Sequence, residues 1–185
     1  MTLSLRPPTS ACHHPEFVEL CHGARWAVRA VIISGGKILM LHTNKGDYKF
    51  PGGGAEKGET HAACLTREVA EETGYLNAAA GEKAGVVIER KLDEFKTDTV
   101  FQMTSHYYFC EVPGERSQQK LVGYEAEQEF TPVWISIEEA IRQNEAAAKE
   151  PGHNGWIQRE TFVMKELLNF AREEKGDRAV NPEGQ

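Results

Sequence analysis

The chain begins its ordered rhythm at residue 25, where "RWAVRAVIIS" and "KILMLHT" form two β-branched and aliphatic runs joined by Gly35-Gly36. That pattern predicts a hairpin. "YKFPGG" reads as a short extended piece, because Phe50 precedes a proline and is biased away from helix. From Thr60 to Thr73 the apolar positions change to helical spacing, with Thr60 able to cap the start and Gly74 to close the end in the left-handed conformation. "GVVIERKL" and "FQMTSHYYFCEV" return to strand, and "PVWIS" is a last short one. A helix is predicted from Ile137 to about Lys149, capped by Ser136, with Glu138 and Glu139 suiting its positive end. A final amphipathic helix is predicted from about Trp156 to Glu174.

These elements predict one α/β domain over residues 24–175, an α/β/α sandwich with helices covering a mixed sheet. The early hairpin excludes a purely parallel, doubly wound sheet. Residues 1–23 read as a leader with little periodicity, and 176–185 as a frayed tail. Between Val112 and Thr131 runs a polar, acidic connection, long enough for a functional loop.

Composition narrows the function. A formal charge of −7 without a basic block argues against a general nucleic-acid or membrane-surface binder. It leaves room for a small polyanion held by a few local cations and a metal. No apolar run approaches the roughly 20 residues of a membrane helix, and prolines interrupt the first residues where a signal peptide is apolar. The expected location is cytoplasmic, which suits cysteines without CxxC spacing (Cys12, Cys21, Cys64, Cys110). Cys12–His14 and Cys21–His22 match no standard zinc spacing.

The chemistry gathers in "PGGGAEKGETHAACLTREVAEETGY", residues 51–75. On a wheel of 100° per residue, Ala62, Leu65 and Val69 form an apolar arc, and Glu68, Glu71 and Glu72 fall together beside it. Ordinary surface helices relieve such crowding with a cation at i±4. The basic residue of the segment, Arg67, projects about 100° from Glu68. A divalent cation is the more economical counter-charge, and hard oxygen donors suit Mg²⁺ or Mn²⁺. Gly52, Gly53 and Gly54 let the backbone approach a metal or phosphate closely.

Gly53, Glu59, Arg67-Glu68, Glu71-Glu72 and Gly74, with Val69, Ala70 and Thr73 between them, resemble the Nudix box, and "FPGGG" matches its usual flank. Seven identities at about 5–7% background coincide by chance less than once in roughly 10⁸ trials. The resemblance implies a Nudix hydrolase, a mixed sheet between helices that cleaves a nucleoside diphosphate linked to another moiety. It implies that Glu68, Glu71 and Glu72 bind Mg²⁺ and activate water, that the Gly52 carbonyl adds a ligand, and that Arg67 pairs with Glu59 behind them. Tyr75 stands where the box ends on an aliphatic residue, and His42 where MutT-type members often carry a basic one. The downstream proline of ADP-ribose types, the paired CxxC of many NADH-cleaving members and the coenzyme-A signature are absent.

Nudix enzymes often draw a further glutamate from the loop before the last strand. Here Glu129 is the first expectation as a catalytic residue and Glu127 the second as a metal ligand, with Glu125 also in that loop. Arg29, Lys45, Lys49 and Arg90 flank the glycine turn as possible phosphate contacts, beside the Gly53 and Gly54 backbone. Tyr48 is a possible base-stacking ring; Phe50, Tyr107, Tyr108, Trp134 and Trp156 read as packing residues and Cys64 as a buried filler. The leading expectation is a metal-dependent pyrophosphohydrolase, a monomer or homodimer, that takes a nucleoside triphosphate or oxidised nucleotide to monophosphate and pyrophosphate. Rivals are cleavage of a dinucleoside polyphosphate, a nucleotide sugar or an RNA 5′ end, and a non-hydrolytic nucleotide sensor. A sensor usually lacks one of the box carboxylates, and all are present here.

Overall fold

In the computed structural model, which describes residues 25–92 and 100–180, the first run divides into strands β1 (Arg25–Val31) and β2 (Ile33–Ser34). Gly35 and Gly36 then turn the chain at φ 57° and 76° into β3 (Lys37–His42), a turn that demands positive φ at both positions. The order continues with β4 (Tyr48–Lys49), α1 (His61–Thr73), β5 (Ala79–Leu92), β6 (Val100–Glu111), α2 (Tyr124–Glu127), β7 (Thr131–Ile135), α3 (Ile137–Ala147) and α4 (Ile157–Val180). The leader with Cys12, His14, Cys21 and His22 lies outside the described residues. No helix among the described residues is long and apolar enough to cross a membrane.

The strands pair as two sheets rather than one continuous mixed sheet. One has the order β1-β6-β5, with β1 parallel and β5 antiparallel to β6; the other is antiparallel, with β3 between β2, β4 and β7. They separate because the free side of β1 is spent on the glycine turn. Val28 and Ala30 donate their amides to the carbonyls of Gly53 and Pro51 at 2.9 Å, so residues 51–53 are held like a short extra strand.

Strand alternation sorts the core into two layers. Val28, Ala30, Ile32 and Leu39 face Leu65 and Val69 of α1. Val31, Ile38, Met40 and Tyr107 face Ala140 and Ile141 of α3 and Val163, Met164 and Leu167 of α4. Helices thus cover both faces, as the sandwich requires.

Thr60 caps α1 by accepting from the Ala63 amide at 3.2 Å, and Gly74 closes it at φ 77°. The apolar arc differs from the wheel: Ala62 is exposed, and Cys64, Leu65, Glu68, Val69, Glu72 and Thr73 are buried. The helix sits rotated toward its carboxylates, which lie within its packed face. β5 begins six residues before the predicted strand, because register shifts around residues 80–85 break its alternation. α4 runs to Val180, past the predicted end at Glu174 and into the predicted tail. No proline intervenes before Pro182, and the single Gly176 costs a helix only about 1 kcal/mol.

The acidic connection is strapped across the end of α1. Leu76 donates to Glu115 at 2.9 Å, Ser117 to Gly74 at 2.7 Å and Lys120 to Glu71 at 2.8 Å, all between backbone groups. This strap sets α2 beside the carboxylates of α1.

Candidate active site

Gly52 holds φ 133°, and a Cβ there would overlap the Val28 carbonyl on β1. At Gly53 a Cβ would stand 2.6 Å from the Glu68 carboxyl carbon. The carboxylate of Glu68 therefore lies directly against the turn, which only glycine permits. The Gly52 amide donates to Glu72 Oε2 at 2.6 Å, tying the turn to the last part of α1.

Glu68, Glu72 and Glu125 each bring a carboxylate oxygen within 4.8 Å of the others. Two ligands on opposite sides of Mg²⁺ lie about 4.2 Å apart, so small side-chain movements close this set on an ion. Hard anionic oxygens fit that ion. Burial pushes the Glu68 carboxyl above its ordinary range, and the Glu72 charge adds to it against the pull of Arg67. The Glu125 carboxyl is also raised, by burial first and then by Glu72. Both shifts mark carboxylates that are desolvated first and crowded by Glu72 second.

The counter-charges correct the wheel argument. Arg67 reaches Glu68 Oε1 at 2.8 Å and Glu71 Oε2 at 3.1 Å through one nitrogen. Its other two nitrogens grip both oxygens of Glu59 at 2.9 Å, and one of them also reaches the Gly54 carbonyl. Projected angles between Cα positions ignore the length of an arginine. The Glu59 carboxyl is held at about 2, by Arg67 first and by the Glu56 amide second. Lys49 pairs with Glu72 at 2.9 Å, the two side chains only 2% and 1% exposed. It is no open phosphate contact in this state. Arg29, also buried, donates to the Gly52 carbonyl, so that proposed metal ligand keeps one lone pair free.

The remaining expected residues divide. Glu129 is exposed at φ 54°, just past α2, and Glu127 is exposed with its backbone carbonyl accepting from Asn44. Neither joins the cluster; Glu125 does. The expected alternation fails because residues 124–127 coil into α2 instead of extending β7. Lys45 donates to the Gly152 carbonyl at 2.7 Å, and Arg90 to Gln102 at 2.9 Å on the β5–β6 ladder. Phe50 and Tyr48 are buried in the core, and His42 packs on Tyr48. Cys64 is buried, its thiol pushed up to about 12 chiefly by desolvation. Tyr75 fills the end of the box edge-on against Trp134 and bonds its indole through the hydroxyl.

Some contributors escaped the sequence. Glu160 is fully buried on α4, where it accepts from the Phe50 amide at 3.1 Å and from Arg159. The signal was a glutamate within the apolar spacing Ile157, Val163, Met164, Leu167. Asp47, also buried, accepts from Asn154 and from the Trp156 indole at 2.8 Å. It fixes Trp156 beside Tyr124, the ring centroids 6.4 Å apart.

Comparison with known proteins agrees with the fold. A family model described as the NUDIX domain matches residues 23–159. Among solved structures, a NUDIX hydrolase from Nitrosomonas europaea is similar at 21% identity and a TM-score of 0.55, covering 81% of this chain and 90% of its own. A MutT protein from Methanosarcina mazei Go1 is similar at 22% identity and a TM-score of 0.50, covering 83% and 96%. No curated protein matches the chain.

Proposed function

The chain belongs to the Nudix hydrolase family, and from that premise we propose a divalent-metal-dependent pyrophosphohydrolase that cleaves a nucleoside triphosphate, or an oxidised one, to monophosphate and pyrophosphate. One observation carries the reading. Around the glycine turn, the five carboxylates of Glu59, Glu68, Glu71, Glu72 and Glu125 face three cations, Lys49, Arg67 and Arg29. The two charges left over are what one divalent ion neutralises.

Glu68, Glu72 and Glu125, with the free lone pair of the Gly52 carbonyl, would hold Mg²⁺ or Mn²⁺. That ion supplies charge neutralisation at the phosphates and lowers the pKa of bound water. Glu71 stands outside the trio with its side chain 39% exposed, which suits it to accept a proton from the attacking water. Arg67 keeps Glu68 and Glu71 in place from behind through its grip on Glu59. The turn brings backbone rather than side chain to the phosphates, since Gly53 already meets Glu68. Tyr124, next in sequence to Glu125 and 47% exposed, gives with Trp156 an aromatic surface at the rim, which supports a base-bearing substrate.

The test is a panel of nucleoside triphosphates, oxidised triphosphates, dinucleoside polyphosphates and nucleotide sugars incubated with Mg²⁺, with the products separated. Pyrophosphate release from triphosphates is the expected result. Cleavage confined to the conjugates would overturn it.

A further inference from the structure

The buried Lys49–Glu72 pair takes up a carboxylate that the metal requires. Lys49 Nζ lies 2.9 Å from Glu72 Oε1, and the other oxygen of Glu72 accepts the Gly52 amide at 2.6 Å. Both oxygens already accept a donor, and the charge of Glu72 is already neutralised by Lys49, before any ion arrives. Three rings surround the ammonium, Phe130 with its centroid at 4.3 Å and Tyr124 and Trp156 at 5.8 Å. Ring faces attract a cation but carry no net counter-charge. Glu125 also faces Lys49, but it belongs to the same trio that an ion would claim. Glu160 faces it too, yet Arg159 holds its Oε1 at 2.9 and 2.7 Å, and the Phe50 amide reaches its Oε2 at 3.1 Å. Arg29 faces the ammonium as well and repels it. An ion on Glu72 takes up the charge that neutralises Lys49 and leaves the buried ammonium under-compensated. Burial of that kind is strongly unfavourable, so a replacement must come.

We infer that Lys49 is the protein's own stand-in for the divalent cation, and that metal binding hands it from Glu72 to a phosphate oxygen of the substrate. The inference rests on the functional reading above and adds an exchange of partners to it. A lysine suits the role: its ammonium is a compact charge with rotatable donors on a flexible stem, able to turn between two anions where a guanidinium fork is fixed. The exchange sets the energetics of both ligands. Lys49 competes with the ion for Glu72 and then attracts the phosphate, so metal and diphosphate favour each other's binding, reciprocally.

Calorimetric titration tests this without turnover, with Mn²⁺ as one probe and inorganic pyrophosphate, added to Mn²⁺-saturated protein, as the other. Lys49→Gln removes the competitor and the phosphate partner together. It should bind Mn²⁺ about tenfold more tightly than the unsubstituted protein and pyrophosphate about tenfold more weakly. Lys49→Arg, which retains the charge, should keep Mn²⁺ affinity within about threefold. Unchanged or weaker Mn²⁺ binding by Lys49→Gln would overturn the exchange, and unchanged pyrophosphate binding would overturn the transfer to phosphate. If Lys49→Gln unfolds in chelator, it is purified with Mn²⁺ and titrated with chelator to read the same affinity. A variant that stays unfolded in saturating Mn²⁺ also overturns the inference, because the ion should replace the lysine at Glu72. An unsubstituted protein that binds no Mn²⁺ overturns the functional reading and this inference with it. Mn²⁺ binding that Lys49→Gln leaves unaltered overturns the inference alone.

Discussion

Arg67 ties the glycine turn, the helix and two of the site carboxylates together, and its grip on Glu59 can be measured without substrate. Two of its nitrogens stand 2.9 Å from the two oxygens of Glu59. The hold on that carboxyl, at about 2 against an ordinary 4.5, corresponds at face value to about 3.4 kcal/mol. The pair is partly open to water, 27% and 14% exposed, and screening reduces the coupling to about 1–2 kcal/mol. The folded value lies below the unfolded one, so this stability is complete above 4.5 and is lost as pH falls toward 2. Glu68 and Glu125 act in the opposite sense. Their raised carboxyls favour folding at low pH and lose that contribution as pH rises through the folded values. Comparing the unsubstituted protein with Glu59→Gln removes the common background. Urea unfolding in EDTA should show Glu59→Gln and Arg67→Lys each losing about 1–2 kcal/mol at neutral pH, with the double variant losing little more than either. The Glu59→Gln deficit should shrink at about pH 3.5. Additivity within about 0.5 kcal/mol, or a deficit that grows in acid, would refute the pairing.

Three further outcomes follow from the geometry. Gly53→Ala should leave the fold intact, because its Cβ meets only the far end of Glu68, but should weaken Mn²⁺ binding about 10–100-fold by calorimetry; Gly52→Ala meets the β1 backbone at φ 133° and should lose more than about 2 kcal/mol in urea unfolding. Glu125→Gln should lower turnover about tenfold or more, a barrier change of about 1.4 kcal/mol, and raise the melting temperature in EDTA, whereas Glu129→Gln should change neither. Glu71→Gln should lower turnover by orders of magnitude with little effect on Mn²⁺ affinity, and Glu72→Gln should lower both.

The helix that carries the site was legible in the sequence because its signals are local. Thr60, Gly74, the glycine turn and the spacing of Glu68, Glu71 and Glu72 all act within one or two turns of chain. Pairing of Glu59 with Arg67 came from the family resemblance, and the distances agree with it. What escaped depends on partners distant in sequence. Lys49 reads as one of four candidate phosphate contacts until α1 packs Glu72 against it, 23 residues away. Glu125 rather than Glu129 lies beside Glu68 and Glu72 because a four-residue turn of helix follows the strap over α1, where strand alternation no longer governs direction. The division into two sheets likewise depends on β1 spending its free edge on residues 51 and 53, a choice that no run of apolar residues records.

The central claim is that Glu68, Glu72 and Glu125 form a metal-dependent site for water attack on a nucleotide phosphoanhydride. Phosphorus NMR of a nucleoside triphosphate turned over with Mg²⁺ in ¹⁸O-labelled water tests it most directly, since it identifies the products and the phosphorus that takes up water oxygen. The expected result is monophosphate and pyrophosphate with the label in one of them, and no turnover in EDTA or in the Glu68→Gln/Glu72→Gln variant. Equal turnover in that variant, or the absence of cleavage by Mg²⁺-bound protein across the whole nucleotide panel, would contradict the account.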